Sequence, residues 1–303
     1  MKYVLGVIGG SGLYDIDGLT GVEELRVDTP YGAPSDAIVK GDLDGATLLF
    51  LPRHGRGHRV PPHQINYRAN VCAMKKAGAT HLVSVSAVGS MKEEIEPGHL
   101  VIVDQFIDLT KRRVSTFFED GAVGHVGFAD PVCDLLAGAV ADAAERAAKA
   151  IATAPRPANE APAKPSRVHR GGTYVCMEGP QFSTRAESRV YRSWGVSVIG
   201  MTGMPEAKLA REAELPYATL ALATDYDCWH EAEEDVTVEA VIAVLKKNIA
   251  LARRTLVELA KALPDPAKSR AAGALKHAIM SSPEAIPIDA RARLAWLLPS
   301  LAG

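Results

Sequence analysis

The sequence predicts a single α/β domain with a central mixed β-sheet flanked by helices. Short β-rich runs alternate with helix-like stretches through most of the 303 residues, and this alternation is typical of α/β proteins. Several of the runs, such as residues 81–86 and 217–223, are apolar without a two-residue alternation, which indicates strands covered on both faces. We therefore expect helices against both faces of the sheet.

Seven stretches are predicted to be strands and five to be helices. The predicted strands are residues 3–8, 46–51, 81–86, 99–104, 172–177, 196–201 and 217–223. The predicted helices are residues 65–77, 131–151, 184–194, 205–214 and 238–263. The last helix is the clearest, because its apolar residues recur at helical spacing and form one stripe.

The domain is predicted to cover residues 1–263, with a C-terminal extension over residues 264–303. A chain of this length suits one large α/β domain or two small ones. Residues 152–166 are rich in Ala and Pro and lack large apolar residues, which predicts a flexible surface insertion between a helix and a strand. The insertion is no domain boundary, because strands continue after it. The extension carries apolar groups that suit packing on the domain or on a neighbouring molecule.

Composition and charge exclude several functional classes. The formal net charge is −2, so no basic field indicates nucleic acid or an anionic membrane. The longest apolar runs have the length of strands and are too short to span a membrane, and the N-terminus lacks the pattern of a signal peptide. The cysteines lack metal-ligand spacing and are predicted to be buried free thiols of a cytoplasmic protein; they are Cys72, Cys133, Cys176 and Cys228.

A glycine turn follows the first predicted strand, in VLGVIGGSGLYD. Gly10 and Gly12 match the first two glycines of a dinucleotide fingerprint, but Asp15 occupies the third position. A Walker motif also fails, because no Gly-Lys-Ser/Thr follows. What remains is a tight turn with one hydroxyl, Ser11, whose exposed N–H groups suit a small anion. A plain β-turn stays the alternative.

Two further strand ends carry groups that suit an anion. Arg53 and His54 follow the second predicted strand, and the arginine fork matches phosphate oxygens. A metal site is poorly supported there, because neighbouring arginines repel cations and no carboxylate lies close. Ser86 and Ala87 end the next predicted strand. Since ligands collect at the carboxyl ends of strands in open α/β sheets, these residues together with Ser11 predict a cup for one free phosphate ion.

Two other stretches suit an organic ligand. Phe182 precedes Ser183 and a predicted helix, so its ring offers a face for stacking a planar base, with an aromatic plug in the core as the alternative. Asp225 and Asp227 lie two residues apart after an apolar strand, where extended backbone would turn them to the same side. Such a pair suits a metal, general acid–base chemistry or recognition of hydrogen-bond donors, and an acidic cap at a helix N-terminus is the alternative.

Six motifs, in this order, resemble those of the trimeric purine nucleoside phosphorylases. They are IGGSGLYD, PRHGRGH, SAVGS, EGPQFSTRAES, MTGMPEAKLARE and ATDYDCW. The resemblance extends from about residue 3 to residue 260, and within the family it points to the branch that acts on 5′-methylthioadenosine. It implies the fold of that family, a homotrimer, and a pentosyltransferase of purine and methionine salvage. The implied partners are a small nucleoside and inorganic phosphate, the latter as co-substrate, with no other cofactor and no metal.

The resemblance also implies a reaction and a role for each matching residue. Phosphate attacks C1′ of the nucleoside, the base leaves, and a pentose 1-phosphate of inverted configuration forms. The implied phosphate-binding residues are Ser11, Arg53, His54, Ser86, Ala87 and Thr202. The implied nucleoside-binding residues are Met201 under the ribose, Phe182 and Ser183 at the base, Asp225 and Asp227 at the purine edge, and His125 and Val238 at the 5′ pocket, with His125 reaching into the neighbouring subunit. Asp225, beside Asp227, is the implied general acid that protonates N7 of the purine.

The residues at the base predict adenine nucleosides. Relatives that prefer 6-oxopurines carry Glu at the position of Ser183 and Asn at that of Asp225. A carboxylate accepts hydrogen bonds from a 6-amino group. It would face the lone pairs of a 6-oxo group without a proton between them, and such an unmatched buried acceptor costs about 1–3 kcal/mol. Gly203 and Met204 depart from many close relatives and also occur in a branch that cleaves methylthioinosine. A broader specificity, including adenosine, 5′-deoxyadenosine or methylthioinosine, therefore stays open. Two other classes are the rivals: a dinucleotide-dependent oxidoreductase, which needs the third glycine that Asp15 replaces, and a non-catalytic nucleoside-binding protein, which would not need a phosphate cup.

Overall fold

A computed structural model of the chain describes residues 3–10, 12–13, 15–154, 166–230 and 238–301, with the backbone alone at residues 238–243, 245 and 301. The strands are β1 Val4–Gly9, β2 Thr20–Leu25, β3 Ile38–Leu43, β4 Ala46–Pro52, β5 His81–Ser90, β6 Leu100–Val103, β7 Gln105–Asp108, β8 Val168–Arg170, β9 Thr173–Cys176, β10 Val198–Gly200 and β11 Tyr217–Asp225. The helices are α1 Tyr67–Lys76, α2 Asp134–Thr153, α3 Arg185–Ser193, α4 Glu206–Glu212, α5 Val238–Ala260 and α6 Ile288–Leu294.

The eleven strands of the described ranges form one mixed sheet. Its main path is β2-β3-β4-β1-β5-β10-β9-β7, and β11 joins β5 to β6, which pairs with β8. β1 runs parallel to β4 and β5, and β5 runs parallel to β11. The last residues of the long strand β5 pair with β10 in the antiparallel sense. The carboxyl ends of β1 and β4 and the middle of β5 therefore meet at one edge, close to the end of β10.

Helices cover both faces of the sheet, as predicted. Successive residues of β1 enter opposite cores, with Leu5 and Val7 packed beneath α2 and α5, and Ile8 packed with residues of α1 and α4. A strand whose two faces are both buried has no polar side to show, which explains the unbroken apolar runs. The predicted fold class is therefore confirmed. In the part of the chain described, no helix has the length and hydrophobicity needed to cross a bilayer.

All seven predicted strands and five predicted helices are present, with ends shifted by a few residues, and four further strands were not predicted. β2 is exposed along nearly its whole length and is held by its antiparallel pairing with β3. β7 and β8 are only four and three residues long. Such strands carry little pattern of their own, because pairing with a neighbour, rather than burial, holds them in place.

The C-terminal segment packs on the domain. Ile286, Ala290 and Leu294 are buried in the same core as α1 and α4, and the Trp296 ring contacts Phe117 at 5.0 Å between centroids. The predicted insertion at residues 152–166 begins inside α2, which continues to Thr153. Most of it, residues 155–165, lies outside the described residues.

Three of the four cysteines are buried free thiols, as predicted. They are Cys72, Cys133 and Cys176. Cys228 is half-buried instead, because it follows β11 at the edge of the sheet, where its Sγ donates to the carbonyl of Ser183 at 3.4 Å.

Candidate active site

One cavity of about 530 Å³ lies at the edge of the sheet where the strand ends meet. Nine of the predicted site residues line it, namely Arg53, His54, Ser86, Ala87, Phe182, Met201, Thr202, Asp225 and Asp227. Ser183 lies just outside the lining, with its Oγ 3.5 Å from the Sδ of Met177, which does line the cavity. His125 is exposed on the surface of the chain and is not part of the lining. Ser11 and the side chain of Val238 lie outside the described residues.

Arg53 is held by a hydrogen-bond network that was not predicted from the sequence. It is 2% exposed, and its Nε donates to Oε2 of the fully buried Glu206 at 3.0 Å. The other donors reach the carbonyls of Ile8 and Val85 and the hydroxyl of Ser84. Burial alone would lower the pKa of Arg53, but the carboxylate of Glu206 raises it. The guanidinium thus enters the cavity wall as one half of an ion pair and as a fixed donor rather than as a free charge.

His54 is fixed in one tautomer by the backbone. Its Nδ1 lies 2.8 Å from the carbonyl oxygen of Val60, and because a carbonyl only accepts, Nδ1 must carry the proton. The ring stacks on His58 with centroids 4.3 Å apart. Burial first, and then the charge of Arg53, lower the pKa of His54 to about 4. At neutral pH the imidazole is therefore uncharged, with Nε2 as its remaining polar atom.

The low pKa of His54 predicts a loss of stability in acid. Between pH 6.5 and about 4 the unfolded chain binds a proton at this position that the native ring does not bind, so the free energy of unfolding falls as pH falls. By pH 5 the contribution of His54 is at most about 2 kcal/mol. Urea unfolding at pH 7, 6 and 5 should give a shallower decline for His54→Gln than for the wild type. Parallel declines would contradict the assignment.

Two hydroxyls face each other on the other wall of the cup. Ser86 Oγ lies 3.0 Å from Thr202 Oγ1, and both residues are at most 6% exposed. The buried hydroxyl of Tyr174 supports them, since it accepts from the N–H of Thr202 at 3.4 Å and lies 3.5 Å from Ser86 Oγ. A Cβ on Gly200 would come within 2.0 Å of this hydroxyl. Gly200 is therefore required for Tyr174 to stand behind the pair.

The glycine turn is anchored to α5. Gly10 lines the cavity, and the N–H of Arg53 donates to the carbonyl of Gly9 at 2.8 Å, which joins the turn to the arginine loop. From α5, Arg253 donates its Nε to the carbonyl of Gly12 at 2.7 Å and its Nη2 to Asp15 at 3.1 Å. The residue that stands where a dinucleotide fingerprint has its third glycine thus helps to fix the turn.

Asp225 and Asp227 reach the cavity by different backbone routes. Asp225 ends β11, but Asp227 has a φ of 54° and begins a short 3₁₀ turn. The extended backbone expected between them is absent, because the chain leaves the strand there, but both carboxylates line the same cavity. Oδ1 of Asp225 accepts from the N–H of Asp227 at 2.8 Å. Both residues still face the cavity, since this hydrogen bond folds the turn back towards the strand end.

Each carboxylate has a hydroxyl partner and a raised pKa. Oδ2 of Asp225 accepts from Thr224 at 2.6 Å, and Oδ2 of Asp227 accepts from Ser188 at 2.5 Å. Burial is the main cause that raises the pKa of Asp225, and for Asp227 the neighbouring Asp225 adds to burial. A Cβ on Gly89 would lie 3.0 Å from Oδ1 of Asp225. Glycine at this position therefore leaves room for the carboxylate.

Phe182 and Met201 form the apolar part of the wall. The Phe182 ring is 63% exposed, which excludes the alternative of an aromatic plug in the core and leaves one face available at the mouth. A Cβ on Gly179 would lie only 2.5 Å from the Sδ of Met201, and Gly179 has a φ of +68°. Both facts require glycine there. In the described part of the chain no group of three or more His, Cys, Asp or Glu side chains is placed to hold a metal ion.

The fold and the cavity are those of a nucleoside phosphorylase-type α/β protein, with a cup of hydroxyls and one arginine joined to a carboxylate pair. Residues 4–261 match the family model of the Phosphorylase superfamily, and the chain belongs to that family. S-methyl-5′-thioadenosine phosphorylase of Geobacter sulfurreducens is 54% identical over 302 residues, covering 99% of each chain. The enzyme of the same name from Thermosynechococcus vestitus is 50% identical and covers 98% of this chain and 99% of its own.

Solved structures agree with the sequence relatives. A methylthioadenosine phosphorylase from an antarctic soil metagenomic library superposes with a TM-score of 0.88 at 47% identity, covering 98% of this chain and 99% of that one. Methylthioadenosine phosphorylase from Schistosoma mansoni in complex with adenine gives a TM-score of 0.77 at 34% identity, covering 99% of both chains. The family resemblance drawn from the six motifs is therefore confirmed.

Proposed function

We propose that this protein catalyses the phosphorolysis of 5′-methylthioadenosine, releasing adenine and 5-methylthio-α-D-ribose 1-phosphate. The carrying observation is that one cavity joins Arg53, Ser86 and Thr202 at one wall to Asp225 and Asp227 at another. The predicted phosphate-binding residues and the predicted base-binding residues, which are far apart in sequence, thus face the same cavity. The names of relatives at about 50% identity over nearly the whole chain support the choice of substrate.

The phosphate cup acts mainly through hydrogen bonds. Because Arg53 is paired with Glu206 and His54 is uncharged near neutral pH, the cup presents little net positive charge. When one of the two hydroxyls of Ser86 and Thr202 donates to the other, the accepting hydroxyl keeps its own O–H, which can donate to a phosphate oxygen. The bound anion then lies under a sugar that develops positive charge as the base departs, and the anion stabilises that charge. Ser11 and the backbone of Ala87 complete the proposed cup.

The departing base is protonated in the proposed step. A phosphate oxygen forms the bond to C1′ while the C1′–N9 bond breaks, and its electrons move into the purine. Asp225 donates a proton to N7, for which its raised pKa suits it. Asp227 accepts from the 6-amino group of adenine. Monohydrogen phosphate loses a proton when it becomes a dianionic ester, and that proton restores the acid form of Asp225, so the overall step is balanced.

Gly203 and Met204, which differ from the residues of many close relatives, have packing roles in this structure. A Cβ on Gly203 would lie 2.6 Å from the Phe106 ring, and Met204 is 2% exposed with its carbonyl bound by Arg113. Neither residue lines the cavity. They therefore give no support to a 6-oxopurine substrate, and the two carboxylates remain the residues that select the base.

The remaining parts of the proposal concern assembly and compartment. His125 lies beside Val123 and near Met280, which are 46% and 66% exposed, and this surface suits contact with another copy of the chain. We propose a cytoplasmic homotrimer in which His125 enters the neighbouring subunit's 5′ pocket and Val238 lines that pocket. Inorganic phosphate is the proposed co-substrate, with no other cofactor.

The experiment that tests the function measures adenine. Purified protein is incubated with 5′-methylthioadenosine with and without phosphate, and free adenine is followed. Phosphate-dependent release is expected, whereas release that ignores phosphate, or none at all, would overturn the proposal. Parallel assays with adenosine, 5′-deoxyadenosine and methylthioinosine measure the breadth of specificity.

Thr202→Val is expected to raise the KM for phosphate by roughly 10- to 100-fold, the value of one hydrogen bond to a charged group. Valine keeps the shape and removes only the hydroxyl that meets Ser86. The KM for the nucleoside should change by less than about threefold, and Thr202→Ser serves as the control that restores the hydroxyl. A phosphate KM like that of the wild type would remove Thr202 from the cup.

A further inference from the structure

The walls that face the nucleoside are formed where two parallel strands separate. β9 and β10 stay paired up to Cys176 and Gly200, and the N–H of Met177 still donates to the carbonyl of Gly200 at 2.9 Å. Beyond this point the two segments diverge, one carrying Met177 and the other Met201 and Thr202 into the cavity lining. Carbonyl groups after the divergence have left the strand ladder, so they need other donors.

Arg113 supplies those donors from the gap between the two segments. Its side chain is 1% exposed. Its Nη1 donates to the carbonyls of Met201 at 2.6 Å and Met204 at 2.7 Å. Its Nη2 donates to the carbonyls of Glu178 at 2.7 Å and Met177 at 3.4 Å. The same guanidinium thus binds both diverging segments, although Arg113 itself does not line the cavity.

Two side chains fix Arg113 in turn. Oε1 of Glu178 accepts from its Nε at 2.8 Å, and the hydroxyl of Tyr67 accepts from its Nη1 at 2.8 Å. The other oxygen of Glu178 accepts from the backbone N–H groups of Lys111 and Arg112 at 2.5 and 3.0 Å. The segment that carries Arg113 is therefore locked to the segment after β9 by both its side chain and its backbone.

We infer that Arg113 is a positioning residue, which sets the distance between the Met177 and Met201 walls and so orients the nucleoside over the phosphate. The inference rests on the proposed function. The phosphate cup has anchors of its own in the Arg53–Glu206 pair and the Ser86–Thr202 contact. Thr202 follows Met201 on the same segment, but Tyr174 accepts from its N–H and Ser86 meets its hydroxyl, so Thr202 keeps anchors that do not involve Arg113. Loss of Arg113 should therefore affect the nucleoside more than phosphate, and this difference distinguishes a positioning role from a general structural one.

Arg113→Lys tests this inference, with Arg112→Lys as the matched control. Lysine keeps the charge, but its three donors leave from one atom and cannot serve both segments at once. The expected result is a rise of about tenfold or more in the nucleoside KM with a fall in kcat, while the phosphate KM stays within about threefold. Arg112 is exposed, and its hydrogen bond to Glu178 uses only the backbone N–H, so Arg112→Lys should behave like the wild type.

Two results would overturn the inference. One is unchanged nucleoside kinetics in Arg113→Lys. The other is an equal rise in both KM values together with a lower melting temperature, since that pattern marks a role in stability alone. If Arg113→Lys does not fold, Glu178→Gln is measured instead and judged by the same criteria. The Glu178 side chain is 21% exposed, so its replacement disturbs the buried core less than replacement of Arg113.

The activity of the wild type separates a failure of the proposed function from a failure of the positioning role. If the wild type shows no phosphate-dependent release of adenine, the substrate assignment fails, and the positioning role is then tested by calorimetric binding of adenine alone. A loss of affinity of about tenfold or more in Arg113→Lys, and none in Arg112→Lys, supports the role. Equal affinities overturn it.

Discussion

Asp225→Asn is expected to lower the turnover of adenine nucleosides by about 10²–10⁴-fold, the usual contribution of a positioned general acid. Asparagine keeps the shape and can still accept from Thr224, whose hydroxyl lies 2.6 Å from Oδ2. It cannot give a proton to N7. N7 and the 6-substituent are neighbours on the same edge of the purine, so the second oxygen of Asp225 also faces the 6-position. The amide presents N–H donors there in place of an acceptor, so the relative preference should move towards 6-oxopurines.

Substrates that differ in their leaving group separate the acid role from a general loss of structure. A riboside with a weakly basic leaving group needs no protonation as it departs, so Asp225→Asn should cleave it at a rate much closer to that of the wild type. Asp227→Asn is the matched control, because the Asp227 pKa is also raised but its proposed partner is the 6-amino group rather than N7. A loss below about tenfold in Asp225→Asn, with unchanged base preference, would remove Asp225 from the acid role.

The cup was predictable because the chain carries its polar groups to strand ends. Arg53 and Ser86 follow apolar runs that are visible in the sequence, and parallel strands bring their carboxyl ends to one edge. Register completes the argument, since Gly9 pairs with Pro52 and Ile8 pairs with Ser84. A sheet with this order therefore places the glycine turn beside the arginine loop without any knowledge of the ligand.

The residues behind the site were not predictable, because each acts through a contact that no local pattern encodes. Glu206 meets Arg53 across 153 positions, and Arg113 binds carbonyls that lie 64 to 91 positions further along the chain. Backbone carbonyls carry no residue identity, so the sequence around Arg113 shows only a run of basic residues. A charged residue inside a long motif, such as Glu206 in MTGMPE, is the one local indication that was available.

Backbone conformation set a second limit on prediction. Alternation in an extended strand was the basis for placing Asp225 and Asp227 on one side, and the left-handed φ of 54° at Asp227 invalidates it. The pairing of β11 with β5 also shifts in register, between Ala223 and Asp225. Strand ends at a site are where ladder rules stop applying, because the chain must turn there to aim its side chains.

Glu206→Gln is expected to lower the free energy of unfolding by about 3–5 kcal/mol, as when one partner of a buried ion pair is removed. Arg53 and Glu206 are 2% and 0% exposed and meet at 3.0 Å. Glutamine keeps the shape but leaves the guanidinium buried without its counter-charge. At roughly 2–4 °C per kcal/mol for a domain of this size, the melting temperature should fall by roughly 6–20 °C.

A double replacement shows whether the loss comes from the uncompensated charge. Arg53→Met combined with Glu206→Leu removes both charges and fills similar volume, and such replacements are often neutral in stability. We expect this variant to be more stable than Glu206→Gln and yet to lack phosphate-dependent turnover, since Arg53 lines the cup. Urea unfolding of the wild type, Arg53→Met, Glu206→Leu and the double variant measures the coupling. If the free energy of unfolding of Glu206→Gln lies within about 1 kcal/mol of the wild-type value, the buried ion pair contributes no more than an exposed one. Arg53 is then held chiefly by its hydrogen bonds to Ser84 and to the carbonyls of Ile8 and Val85.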